Sequence, residues 1–257
     1  MARLVAPGPE RPGSLRGPVL SSVRMAAKDA DDVVRANPIF ADLPARELAA
    51  LVAAARDTTY AAREYVFLEG EPPVSFCLVK QGHVKIVRHA KSGKDVVFEL
   101  LGPGEAFGGV AVIERRPYPA SAQTTERTIV TKIPQDVIIP LAERHPSIVR
   151  AMALMIGQRL RAAHESVTAL ASDPVEARLA GVLLRMAERE GVRNAAGITL
   201  PMQLTRQSLA DMSGTTVETA IRVLGRWQRD GILRDEGGHV VLSNLEALRA
   251  RLDVAEG

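Results

Sequence analysis

Apolar residues follow two different periods along this chain, and the changes of period divide it into segments. From Asp29 to about Arg56 the spacing is helical, with Leu48, Leu51 and Val52 on one face. Asp42-Leu43-Pro44 marks a helix entry, because proline fits a first turn whose N–H has no intrahelical partner. From Thr58 to Ile133 the texture shortens into β-rich runs: Tyr65–Leu68, Phe76–Lys80, Val84–Arg88, Val96–Leu101 and Thr128–Ile133. Turn residues separate them at Glu69-Gly70-Glu71-Pro72, Gln81-Gly82, Ser92-Gly93-Lys94 and Gly102-Pro103-Gly104. Short strands at such regular spacing predict a sandwich or barrel, here a β-roll.

The helical period returns from about Gln135 to Ala171, with a break at His145-Pro146. Beyond the break, Val149, Ala153, Ile156, Leu160, Ala163, Val167 and Leu170 recur at alternating spacings of 4 and 3. That is the seam of a coiled coil. A helix packed on its own domain shows a similar period. Arg159, Arg161, His164 and Glu165 between the seam positions favour a helix that meets a second copy of the chain. Ser172-Asp173-Pro174 reads as a hinge, with Asp173 as N-cap and Pro174 at the first helical position. A helix then runs to about Glu190, followed by a loop from Gly191 to Gly197 and a compact α-rich segment.

Within that last segment the pattern becomes chemically informative. Thr205 can cap a short helix whose inward residues are Leu209 and Met212, and Gly214 supplies a tight turn. Thr216 caps a second helix with Ala220, Val223, Leu224 and Trp227 on its core face. The opposite face carries Glu218, Thr219, Arg222, Arg226 and Arg229. Two short helices about a glycine turn, the second amphipathic with a polar outer face, predict a helix-turn-helix. Arg222 lies one helical turn after Glu218, so both can enter a groove together. Arginine can donate twice to guanine and glutamate can accept from cytosine. The same pair could also form a simple salt bridge on a solvated helix. After Asp230-Gly231, two apolar runs around Gly237-Gly238 read as a wing, and Ser243 as the cap of a final helix. Thr205, Arg206, Gln207, Thr216 and Thr219 are placed for phosphate contacts, which set register without reading sequence.

Charge adds little to this reading. The formal net charge is +3, and the stretch from Asp173 onward holds 11 arginines against 12 acidic residues. Nucleic-acid binding therefore rests on where the charges sit. Residues 1–28 are arginine-bearing, broken by four prolines and lack a signal peptide's apolar core, so they read as a flexible tail. The single cysteine, Cys77, rules out an internal disulfide framework or a cysteine-ligated iron–sulfur cluster within one chain. A cytoplasmic setting and no membrane span are expected.

The run from Leu204 to Leu233 resembles the DNA-binding signature of the CRP/FNR superfamily of bacterial transcription regulators. Thr216-Val217-Glu218-Thr219-Ala220-Ile221-Arg222 is most similar to the FNR and nitrogen-oxide-responsive branches. The resemblance implies that Glu218 and Arg222 read a TGA-containing half-site of an inverted repeat, flanked by Val217 and Ile221. It also implies a homodimer on double-stranded DNA, a contact with RNA polymerase if the outcome is activation, and no catalytic or metal centre.

On the sensor side the family's nucleotide pocket pairs a glycine-acid cassette with Arg-Ser or Arg-Thr. Here the pocket residues are Gly104, Glu105, Phe107, Gly108, Gly109, Ser121 and Ala122. Gly109 stands where a ribose-binding glutamate belongs, and Pro119-Ala120 where the phosphate-binding pair belongs. Cyclic AMP and cyclic GMP are therefore not expected, and the effector stays unknown. A heme or nitric-oxide sensor remains open, with His83, His89, His145 and His164 as candidate ligands, although each reads more simply as a surface or hydrogen-bonded residue.

The expected fold is α+β: an N-terminal β-roll like a cyclic-nucleotide-binding jelly roll, a long dimerisation helix and a C-terminal winged helix-turn-helix. The boundaries are 29–140 for the roll, 141–172 for the helix and 173–257 for the DNA-binding domain. Two readings compete with it: a β-roll subunit that regulates a partner protein, and a cupin-like metalloenzyme.

Overall fold

A computed structural model describes residues 30–89 and 95–253. The expected tail at 1–28 and the Ser92-Gly93-Lys94 turn lie outside the described residues, as does the His89 side chain.

The β-roll consists of two antiparallel four-stranded sheets. One has the order β1 (Arg56–Tyr60), β8 (Thr128–Pro134), β3 (Ser75–Gln81), β6 (Ala106–Phe107); the other has β2 (Tyr65–Phe67), β7 (Ser121–Thr124), β4 (Val84–His89), β5 (Asp95–Leu101). The five runs expected from sequence are all strands. The short β1, β6 and β7 were hidden, because their polar and small residues carry little alternation. Cys77, Val79, Val84, Leu101, Ala122 and Val130 fill the space between the sheets.

On β3, Phe76 and Leu78 point the other way, into a helical layer formed by α1 (Ala30–Arg35), a 3-10 turn (Pro38–Phe40), α2 (Ala45–Ala54) and α4 (Gln135–Arg144). This strand is buried on both faces, which is why it reads as a continuous apolar run. The helix entry expected at Asp42-Leu43-Pro44 is present, with Pro44 as the N-cap of α2 rather than in its first turn, and the helical pattern before it is broken as well. Asn37 interrupts it, its side chain accepting a hydrogen bond from Ile39 N at 3.0 Å. Between β6 and β7 lies α3 (Gly109–Glu114).

The expected helix break at His145-Pro146 separates α4 from α5 (Pro146–Ser172). Because α4 packs into the helical layer, the boundary drawn at 141 cut through an element of the roll. In α5 only Ile148 and Met152 are buried. All seven seam residues are exposed, from 39% for Ile156 to 65% for Val167 among the large ones.

The C-terminal domain comprises α6 (Val175–Glu190), β9 (Val192–Asn194), β10 (Gly197–Gln203), α7 (Arg206–Met212), α8 (Val217–Arg229), β11 (Leu233–Glu236), β12 (His239–Leu242) and α9 (Leu245–Asp253). Leu179, Leu183, Leu200, Leu209, Leu224, Trp227 and Leu248 form its core. Three expectations need correction here. The stretch 191–203 is a β-hairpin that joins the wing in a four-stranded sheet ordered β11-β12-β10-β9. Asp173 ends α5, and Pro174 is the N-cap of α6. Asn244, whose Oδ1 accepts from Ala247 N at 2.9 Å, caps α9; Ser243 instead accepts from Arg234 Nε.

Candidate nucleic-acid interface

The two helices of the motif are started by their threonines. Thr205 Oγ1 accepts from Ser208 N at 3.0 Å, and Thr216 Oγ1 from Thr219 N at 3.3 Å. Each satisfies one of the donors that the first helical turn leaves unpaired. Between them Gly214 takes φ +60°, a left-handed conformation that a side chain resists. A Cβ there would also lie 2.2 Å from Leu170 Cδ2, so the C-terminal end of α5 touches the turn itself. Arg178 of α6 braces the same turn, donating to Ser213 O at 2.8 Å and to Asp173 O at 2.6 Å.

With Ala220, Val223, Leu224 and Trp227 buried, the orientation of α8 is fixed by its core face. Glu218, Ile221 and Arg222 then share the exposed side, at i, i+3 and i+4. Val217 is half-buried against the domain core, so only part of it can meet a base. Arg226 leaves this face and pairs with Glu176 of α6. The wing, β11 and β12, turns at Gly237-Gly238, both at positive φ.

The expected phosphate residues divide by the bonds they already make. Thr205 and Thr216 act as caps, while Thr219 donates its N–H to one. Arg206 Nη2 lies 3.5 Å from Asp235 Oδ2 of the wing, and Gln207 donates to Asp211 at 2.7 Å. These contacts orient the α7 N-terminus. They leave the exposed hydroxyls and the remaining amide and guanidinium donors as the groups a phosphate could use.

In the sensor cassette, Phe107, Gly109, Ser121 and Ala122 are packed, whereas Gly104 is exposed and Glu105 half-buried. Phe107 lies against Phe67, which stacks on Tyr118 with ring centroids 3.6 Å apart. A Cβ on Gly109 would stand 2.6 Å from the Phe76 ring, so the position that bears glutamate in nucleotide-binding relatives has no room for a side chain here. Ser121 Oγ accepts from Glu69 N at 2.9 Å, and Ala122 is fully buried. Gly104 O accepts from Asn37 Nδ2 at 2.8 Å. Arg159 of α5 reaches in to donate to Ala106 O at 2.7 Å and to pair with Glu99 at 3.2 Å. Glu105 turns away from the roll interior to pair with Arg189 of α6. Arg115 lies exposed, 3.6 Å from Glu143.

The histidines separate clearly. His83 is 4% exposed, and each ring nitrogen meets a carboxylate: Glu126 at 2.6 Å and Glu190 at 2.7 Å. Burial alone would lower its pKa; the two carboxylates outweigh burial and push it up to about 9. With both nitrogens engaged, His83 has none to offer a heme iron. His145 Nε2 lies 3.6 Å from Glu47, and His164 is exposed on α5. Burial pushes the Cys77 thiol up to about 11, which keeps it protonated and inert. Sequence reasoning missed Glu126, Glu190 and Arg189 altogether; Glu190 lies 107 residues from His83, and no local spacing links them.

A β-roll joined through a long helix with an exposed apolar row to a winged helix-turn-helix is the architecture of a DNA-binding regulator. Residues 57–145 match the cyclic nucleotide-binding domain family and residues 177–251 the Crp-like helix-turn-helix domain family. A CRP-like cAMP-activated global transcriptional regulator of Mycobacterium tuberculosis is 26% identical over 221 residues, covering 86% of this chain and 99% of that protein. The transcriptional activator protein anr of Pseudomonas aeruginosa is 26% identical over 184 residues, 71% of this chain and 75% of its own length. The fold matches the structure of FixK2 from Bradyrhizobium japonicum with a TM-score of 0.68 at 23% identity, covering 76% of this chain and 96% of that one. The chain belongs to the CRP/FNR superfamily of DNA-binding transcription regulators.

Proposed function

We propose that the chain is an effector-responsive, homodimeric, cytoplasmic regulator that reads a palindromic TGA-containing site through residues 216–228. The observation that carries this reading is the exposed Glu218–Ile221–Arg222 face of α8, held outward by the buried Ala220–Val223–Leu224–Trp227 face. An arginine on such a face can donate twice to guanine, and a glutamate one turn earlier can accept from the paired strand's cytosine. The exposed α5 seam supports a dimer, because a row of large apolar residues gains most from burial against a second copy. Two-fold symmetry would set the two reading helices one DNA turn apart. Activation would add a contact with RNA polymerase.

The mycobacterial relative is named as cAMP-activated. Here the filled space at Gly109 and the Pro119-Ala120 pair favour an effector other than a cyclic nucleotide. The test is fluorescence anisotropy with a duplex carrying inverted TGA half-sites, with and without cyclic AMP or cyclic GMP. Tighter binding to this duplex than to a scrambled one, unchanged by either nucleotide, is expected. Equal binding to both duplexes rejects the site reading, and nucleotide-stimulated binding rejects the effector reading.

A further inference from the structure

The DNA-reading domain packs directly on the β-roll, and the junction is both apolar and ionic. Leu204, Ser208 and Met212, one face of α7 and its lead-in, line a narrow crevice with Lys85, Val97, Leu100 and Thr125 of the roll. Beside it the C-terminal end of α6 reaches the roll twice. Glu190 meets His83, and Arg189 pairs with Glu105. Gly102 makes the first contact feasible: a Cβ at this position would stand 2.2 Å from Glu190 Oε1 and 2.5 Å from its Cδ and Oε2.

The chemistry of this contact depends on one proton. A neutral imidazole donates from one nitrogen and accepts at the other, and a carboxylate only accepts. Glu126 and Glu190 can therefore both be hydrogen-bonded only by an imidazolium. The surrounding charges agree. Glu126 faces His83 from the turn between β7 and β8, Glu190 from α6, Glu105 and Arg189 from either side of the junction, and Glu99 with Arg159 from β5 and α5. Glu105 and Glu99 are each paired with an arginine and Lys85 lines the neighbouring crevice, which leaves the histidine as the cation held between Glu126 and Glu190.

In a helix-turn-helix the first helix crosses the DNA backbone. Here α7 lies along the roll against β5, with Leu204, Ser208 and Met212 turned to it and Thr205 and Gln207 left exposed. The contact therefore fixes where the motif stands relative to the roll without covering its outer face. We propose that the His83 imidazolium, clamped between Glu126 of the roll and Glu190 of α6, is a latch that holds the winged helix in one fixed orientation on the β-roll and so restrains it from turning to fit a duplex. The latch rests on the DNA-binding reading above and adds an inhibitory contact to it. Deprotonation of His83, or any effector that displaces Glu190, frees the domain.

Two variants test this without cutting into the DNA-reading residues. Glu190→Gln keeps the shape and removes the charge. Gly102→Ala keeps the charge and drives the Glu190 carboxylate away, meeting only the movable end of a side chain. Docking is read directly by the distance between spin labels at Arg116→Cys and Glu236→Cys; the buried native Cys77 stays unlabelled. DNA affinity is read on the inverted TGA duplex without effector. Both variants are expected to lengthen and broaden the label distance. If about a tenth of the wild-type molecules are undocked, release raises affinity roughly tenfold. An unchanged distance overturns the latch, and a changed distance with equal or weaker DNA binding overturns its inhibitory role. Absence of sequence-specific binding in every variant, with the distance change intact, rejects the DNA-site reading and leaves the mechanical contact standing.

Discussion

Individual side chains carry this molecule's specificity by what they exclude as much as by what they offer. Gly109 is the clearest case, since the Phe76 ring occupies the space beside it. Gly109→Ala should lower stability by about 1–3 kcal/mol, the usual cost of adding a methyl to a packed site. Thermal unfolding measures this, and an unchanged melting temperature would mean that Phe76 moves freely and that the cassette can reopen. Trp227 holds the opposite position, as the fully buried anchor of the reading helix. Its replacement by alanine should cost about 3–5 kcal/mol and abolish DNA binding through loss of the fold. Arg222→Ala, by contrast, should leave the unfolding free energy of the isolated protein within about 0.5 kcal/mol of wild type, because the side chain is exposed.

At the scale of elements, the period of apolar residues foretold most of the architecture, and its failures have physical causes. The five main strands, the long α5, the two motif helices and the wing follow from alternation, heptad spacing and glycine turns. β9 and β10 escaped because Gly191, Gly197 and Pro201 punctuate them like a loop, and β10 is held in the sheet by β12, which is distant in sequence (Ile198 opposite Leu242) and so invisible to local pattern. Ahead of the expected entry at Pro44, Asn37 starts a separate 3-10 turn through one side-chain hydrogen bond that no apolar spacing announces. The exposed face of α8 was legible because it is the complement of a buried face. The ionic junction around His83 was not, since its two partners, Glu126 and Glu190, come from distant segments. The seam offers a direct check at this scale. Leu160→Glu, placed on an exposed seam position, should shift sedimentation at micromolar concentration toward the monomer without altering secondary structure. A variant that stays dimeric would move the dimer interface off α5.

The whole molecule couples two domains through a proton-dependent contact. His83 has its pKa raised to about 9 in the docked arrangement, so its contribution is fully present below its ordinary value of 6.5 and is lost as the pH rises through about 9. Docking should therefore weaken between pH 6.5 and 9, read as a falling melting temperature and a widening interdomain distance over that range. Glu190→Gln should flatten the dependence, because the retained Glu126 alone cannot hold the proton as tightly. A pH profile identical in wild type and variant would remove His83 from the coupling. Leu170 of α5 against Gly214, and Arg178 of α6 bridging Asp173 and Ser213, tie the end of the long helix to the turn before α8, so in the proposed dimer a shift of α5 and the docking of the domain would bias the same element.

The most direct measurement compares wild type and Arg222→Ala on two duplexes, one with inverted TGA half-sites and one with the guanine of each half-site replaced. Wild type should prefer the guanine-containing duplex by about 1–3 kcal/mol per half-site, and Arg222→Ala should lose that preference while binding the replaced duplex as before. A variant that keeps the preference, or that weakens equally on both duplexes, would contradict base reading by α8.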